Sequence, residues 1–250
     1  MKRQLTIALV LAAAAVICTG CQNGQRADSP DMSPLQRLTT GNERFVSGQA
    51  AHMHADANTR RDTAKHGQHP FATVVACSDS RVPVELLFDQ GIGDIFVIRV
   101  AGNVCAADES GSIEYAVGHL DTPLLVVLGH TGCGAVTAAV QGAEAHGSIP
   151  ELLAHISPAV EAARRQHPNL KGDNLVATSV RCNVWHSIED LIGHSAEVRQ
   201  KLNEGKLDVV GAVYDLDTGL VEWLGAHPRQ LELVRSSDED GWHMGHAVTK

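Results

Sequence analysis

Residues 124–134 read LLVVLGHTGCG. Five apolar residues follow Pro123 without a polar break, and the run then turns at once into glycines, a histidine and a cysteine. A continuous apolar run this short predicts a strand buried on both faces, as in a parallel sheet. Residues 71–81, FATVVACSDSR, repeat the pattern: an apolar, β-rich run after Pro70, then a cysteine and a polar loop. Open parallel sheets place their sites just past the carboxyl ends of the strands. The two ends therefore bring Cys77, His130 and Cys133 to the same edge of one sheet.

The surrounding chain alternates. Further strands are expected at 94–100, 208–214 and 219–224, the last two around a turn at Asp217, Thr218 and Gly219. Helices are expected at 34–47, opened by Ser33 and Pro34, and at 84–88, 113–120, 135–140, 151–167 and 173–203. Residues 49–69 are polar and carry four histidines, which predicts an irregular arm. The fold class is α/β, a mostly parallel sheet flanked by helices.

Two cysteines and one histidine with no fourth such residue nearby are the donor set of a catalytic zinc site. Three protein ligands leave one position for water, whereas structural zinc sites fill all four. Thiolates also favour zinc over magnesium or calcium. Gly129, Gly132 and Gly134 are expected to give the backbone the freedom that lets His130 and Cys133 face one ion. Singly, each cysteine reads as a small core residue and GHTGCG as a turn; jointly they read as a site. Asp79 lies two residues beyond Cys77, within reach of the open position, and Arg81 can hold its carboxylate in a bidentate ion pair. The two arrangements exclude each other. Asp79 paired with Arg81 leaves the position to water, and Asp79 on the metal closes the site.

Lys plus Arg total 20 against 29 Asp plus Glu, a net charge of -9, which argues against a nucleic-acid partner. The first twenty residues read as a leader: Lys2 and Arg3, an apolar run over 5–17 too short to span a bilayer comfortably, then Thr19, Gly20 and Cys21. A small residue directly before a cysteine suggests lipoprotein processing, with Cys21 as the lipid-bearing mature N-terminus; Cys18 stands where that pattern usually has Leu. An uncleaved apolar anchor is the alternative. The expected organisation is a leader over 1–20, a tether over 21–32, one domain over 33–235 and a polar tail over 236–250. The product is expected in the periplasm or cell envelope, touching membrane only through the lipid. Cys105 and Cys182 are expected to be buried thiols, with a bond between them the alternative.

Residues 77–83 (CSDSRVP) and 129–134 (GHTGCG) resemble the two signature motifs of β-carbonic anhydrases, and residues 93–103 and 113–117 are also similar to that family. The resemblance covers roughly residues 33 to 225. It implies zinc-dependent hydration of carbon dioxide to bicarbonate and a proton, with one Zn2+ per subunit and zinc-activated water as the attacking group. It also implies an N-terminal helix that crosses to a partner subunit, and a homodimer or higher homo-oligomer. Gln68 takes the place of a pocket glutamine, Phe96 and Tyr115 the apolar wall, and the Gly134 N–H a contact to bicarbonate. Val74 stands where members with a regulatory bicarbonate site carry Trp, so that regulation is not expected. Ala101 is smaller than the branched residue of some members, which leaves the pocket width open. The rival readings are action on carbonyl sulfide or carbon disulfide, zinc storage, and a redox role for Cys77 and Cys133, the last disfavoured because no CxxC pair exists.

Overall fold

The structure, a computed structural model, describes residues 31–239, and side chains up to residue 235. The expected leader, the Cys21 lipid site and most of the tether lie outside the described residues, as does residue 240 onward.

Five strands form one sheet: β1 (Ala72–Ala76), β2 (Ile95–Arg99), β3 (Leu124–His130), β4 (Asp208–Tyr214) and β5 (Val221–Gly225), in the order β2-β1-β3-β4-β5. The first four pair in parallel, and β5 runs antiparallel to β4. Every residue of β1 and β3 is buried, which is why both read as unbroken apolar runs. Between them the register pairs Ala76 with Leu128. Cys77 and His130 therefore lie one and two residues past the same rung.

Side chains alternate across the sheet. Val75, Leu125, Val127, Val209 and Val213 pack on one face with helices α5 (Gly134–Gln141), α6 (Ile149–Gln166) and α7 (Gly172–His194). Val74, Val126, Leu128 and Val210 pack on the other with Leu38 of α1 (Pro34–Val46) and with Val84 and Leu87 of α3 (Val84–Leu87).

The α1 helix starts with a capping box between Ser33 and Gln36. It is tied to the body through Asn42, whose Nδ2 donates to the carbonyls of Leu87 at 3.0 Å and Gly219 at 2.9 Å. Arg44 Nε meets Asp89 Oδ2 at 2.5 Å, and Asp89 also accepts the Ala51 and His52 amides at 2.8 and 3.0 Å. Burial pushes the Asp89 carboxyl up, but the Ala51 amide, the Arg44 guanidinium and the His52 amide push it further down, so its pKa is lowered. A lowered folded-state pKa gives stability that is fully present above the unfolded value of ~3.9 and is lost as pH falls through the folded one. Asp89→Ala removes the buried acceptor shared by the Arg44 guanidinium and the Ala51 and His52 amides, and a loss of about 1–3 kcal/mol is expected in urea denaturation at neutral pH. Below the folded pKa of Asp89 the difference from wild type should shrink.

Four expectations are corrected. The arm at 49–69 contains a helix, α2 (Ala57–His66), capped by Asp56 and burying none of its residues; with no apolar stripe it left no periodic signal. The helix expected from 113 begins at Ala107 as α4 (Ala107–Glu114) and passes into a π turn over Tyr115–His119. The span 173–203 is two helices, α7 and α8 (Ala196–Asn203). Ser195 breaks it, accepting the Val198 amide at 3.2 Å and donating to Glu114 Oε1 at 2.7 Å. Finally, a helix α9 (Gln230–Glu239) runs through position 236, where the polar tail was expected to start.

Candidate metal centre

Cys77 leaves the end of β1, His130 ends β3, and Cys133 is the N-cap of α5. Their ligating atoms all lie within 4.8 Å of one another, and all three residues are buried. Cys77 Sγ is 4.0 Å from Cys133 Sγ. Two thiolates on one tetrahedral zinc, each at ~2.3 Å, would sit ~3.8 Å apart, so the pair fits the ion. The histidine fits as well. Its Nδ1 donates to the Thr131 carbonyl at 2.9 Å, which leaves the Nε2 lone pair for the cluster. Nε2 is buried and has no hydrogen-bond partner among the described residues, an arrangement that is costly for a polar atom without an ion to ligate.

The sulfurs are prepared for a cation. The Cys133 thiol beside it pulls Cys77 down to about 4, helped by His130 and by the Gly102 and Asp79 amides and opposed by burial. The same contact and burial push Cys133 up. Thiols bind a dication as thiolates, so metal binding here would release protons. Cys105 is buried and its thiol is pushed up by desolvation; Cys182 is half-buried. Both are free, so the alternative of a bond between them is not realised.

Asp79 faces the cluster from the loop after β1. Arg81 holds its carboxylate with Nε to Oδ1 at 3.0 Å and Nη2 to Oδ2 at 2.7 Å, and the Arg81 amide adds a contact to Oδ1 at 2.9 Å. The Arg81 side chain, above all, holds the Asp79 carboxyl well below the usual carboxylate range. Asp79 Oδ2 is 3.9 Å from His130 Nε2. Asp79 is thus paired with Arg81 here.

The three loop glycines serve different ends. Gly132 has a φ of +63°, in the left-handed region. At Gly129 a Cβ would come within 2.7 Å of Val184 Cγ2, so glycine is needed for α7 to approach β3. Around Gly134 a Cβ would meet open space, and the expected need for freedom there is not borne out. The Gly134 amide lies in the first turn of α5. Phe96 and Tyr115 form a tilted ring pair with centroids 6.1 Å apart; Phe96 packs on the core, and Tyr115 is 47% exposed in the single chain. Gln68 is exposed ahead of β1. Of the histidines at 52–69, His54 pairs with Asp94 at 2.7 Å and His66 with Asp62 at 2.8 Å. With His69 they line a hollow that does not include the cluster.

Arg99 went unnoticed in the sequence. It donates to the Cys77 carbonyl at 3.1 Å and the Asp79 carbonyl at 2.6 Å, gripping the loop that carries both. The hints were a charge closing an otherwise apolar strand and its place inside the family-like segment 93–103.

A doubly covered parallel sheet ending in a buried Cys–His–Cys cluster defines a metal-binding α/β protein. The family model described as carbonic anhydrase matches residues 72–221. Carbonic anhydrase 2 of Mycobacterium tuberculosis is 38% identical over 197 residues, covering 76% of this chain and 92% of that protein. The carbonic anhydrase of Mycolicibacterium smegmatis is 38% identical over 200 residues, covering 77% and 94%. Among solved structures, the β-carbonic anhydrase CafA of Aspergillus fumigatus superposes with a TM-score of 0.66 at 28% identity, covering 80% of this chain and 95% of that one. The chain belongs to the β-class carbonic anhydrase family, and the enzyme activity this assigns is that of a carbonic anhydrase.

Proposed function

We propose that the chain interconverts carbon dioxide and bicarbonate as a zinc enzyme, with Cys77, His130 and Cys133 as ligands and Asp79, fixed by Arg81, as the group that aims the attacking water. The observation that carries this reading is the bidentate Asp79–Arg81 pair set against a three-ligand cluster. A storage site has no use for such a pair. Zinc would supply the Lewis acidity that brings the ionisation of water from ~15.7 down toward ~7.

The chain's own residues do the rest. Asp79, ionised and held off the ligands by Arg81, accepts a hydrogen from the attacking water and turns its lone pair toward the carbon. The Gly134 N–H would donate to an oxygen of the bicarbonate product. Phe96 and Tyr115 supply an apolar wall, and Gln68 a polar contact at the pocket mouth. The proton released in the reaction passes to buffer. Movement of Asp79 onto the metal would close the site.

A homodimer or larger homo-oligomer, with an N-terminal helix crossing to a second copy, completes the proposal. Its support is that no residue of α2 is buried among the described residues of the single chain, and that Tyr115 stands open at the wall. Export through the leader, with a lipid on Cys21, is the proposed route to the periplasm or envelope.

Stopped-flow hydration of carbon dioxide by the zinc-loaded protein tests the reading, with carbonyl sulfide and carbon disulfide assayed in parallel. Fast hydration that rises with pH is expected. Stoichiometric zinc with no turnover of carbon dioxide would overturn it in favour of storage or of a sulfur-containing substrate.

A further inference from the structure

Helix α7 approaches both metal-bearing loops. It lies against β3 at Gly129, the residue before His130, through Val180 and Val184. Between these two valines in sequence, Asn183 reaches a short 3-10 turn over Ala101–Asn103, where its Nδ2 donates to the Gly102 carbonyl at 2.7 Å. Gly102 in turn donates its own amide to Cys77 Sγ at 3.3 Å. That amide is aimed by a left-handed backbone, φ +74°, at a position where a Cβ would come within 2.5 Å of Ile156 Cδ1. Glycine is the most flexible residue, so this orientation has to be held from outside. Asn183 is 1% exposed, and its Oδ1 has no partner among the described residues. Burying an amide in an apolar core is unfavourable unless its hydrogen bonds are made. The one it makes ends on the residue that donates to a metal ligand.

We infer that Asn183 is a positioning residue for the metal centre: by anchoring Gly102 it holds the N–H that donates to the Cys77 sulfur. The inference rests on the zinc reading above. A thiolate that accepts a hydrogen bond gives less charge to its metal, and partners of this kind orient and tune the ligands. Asn183 thus keeps the metal a stronger Lewis acid than two unmodified thiolates would leave it.

The test uses cobalt-substituted and zinc-loaded full-length protein, comparing wild type with Asn183→Leu and Ser179→Ala. Leucine keeps the volume and removes the donor. Ser179 is equally buried one turn earlier on α7, and its hydroxyl has no partner. Asn183→Leu is expected to move the thiolate-to-cobalt charge-transfer band to lower energy. It should also shift the midpoint of the zinc enzyme's pH–rate profile upward and cut the rate near neutral pH about tenfold. Ser179→Ala should match wild type. Should leucine not be accommodated, Asn183→Ser gives the same comparison. A folded Asn183 variant with an unchanged band and midpoint overturns the inference, as does an equal shift in Ser179→Ala. A wild-type protein showing no thiolate–cobalt band would instead defeat the metal assignment itself.

Discussion

Replacing His130 with alanine is expected to abolish carbon dioxide hydration and to strip stoichiometric zinc from the purified protein. The imidazole is the only nitrogen donor in the cluster, and its Nε2 is held toward the two sulfurs by the Nδ1 contact to Thr131. Alanine leaves two thiols 4.0 Å apart with no third donor, too few for the site to compete for zinc. The surrounding fold should persist, because β3 is fixed by pairing with β1 and β4 on either side. Zinc content by atomic absorption and the circular dichroism spectrum read the two effects separately. One zinc per chain retained in a folded His130→Ala protein would remove the histidine from the ligand set.

Arg81→Ala is expected to keep the zinc and lose roughly a hundredfold or more in rate, the scale of a positioned proton-transfer group. The guanidinium does two things for Asp79: it lowers the carboxyl's pKa, and it fixes both oxygens by paired hydrogen bonds. Only the second matters near neutrality. A lowered carboxylate pKa favours the ionised form, and without Arg81 the pKa would return toward ~3.9, still far below neutral pH. The loss should therefore persist at alkaline pH. Recovery of the Arg81→Ala rate on raising the pH would mean that protonation of Asp79, rather than its aim, had limited the variant. Arg81→Lys should rescue little, because an ammonium cannot make the paired contact.

The features legible in the sequence were those carried by residue type. Strands β1 and β3 are buried on both faces, so their apolar runs announced them, and the ligands stood at their ends as the few residues with metal chemistry. Helix α2 was illegible because none of its residues is fully buried among the described ones, so it carries no apolar stripe. The break between α7 and α8 rests on the Ser195 contact to Glu114, a residue distant in sequence. Arg99 and Asn183 were hidden for a similar reason. Each acts by donating to a backbone carbonyl, and a side chain that grips main chain leaves no motif. The loop glycines were read as a set, whereas only tertiary packing separates Gly129, which admits α7, from Gly134, which meets open space.

The most direct test of the account is stopped-flow carbon dioxide hydration by wild type and Asp79→Ala at matched zinc content across the neutral to mildly alkaline range. The account predicts fast wild-type turnover that rises with pH, and a variant that binds zinc equally but is slower by about 10²-fold or more at every pH. A variant as fast as wild type would contradict the central claim that Asp79, held by Arg81, aims the attacking water.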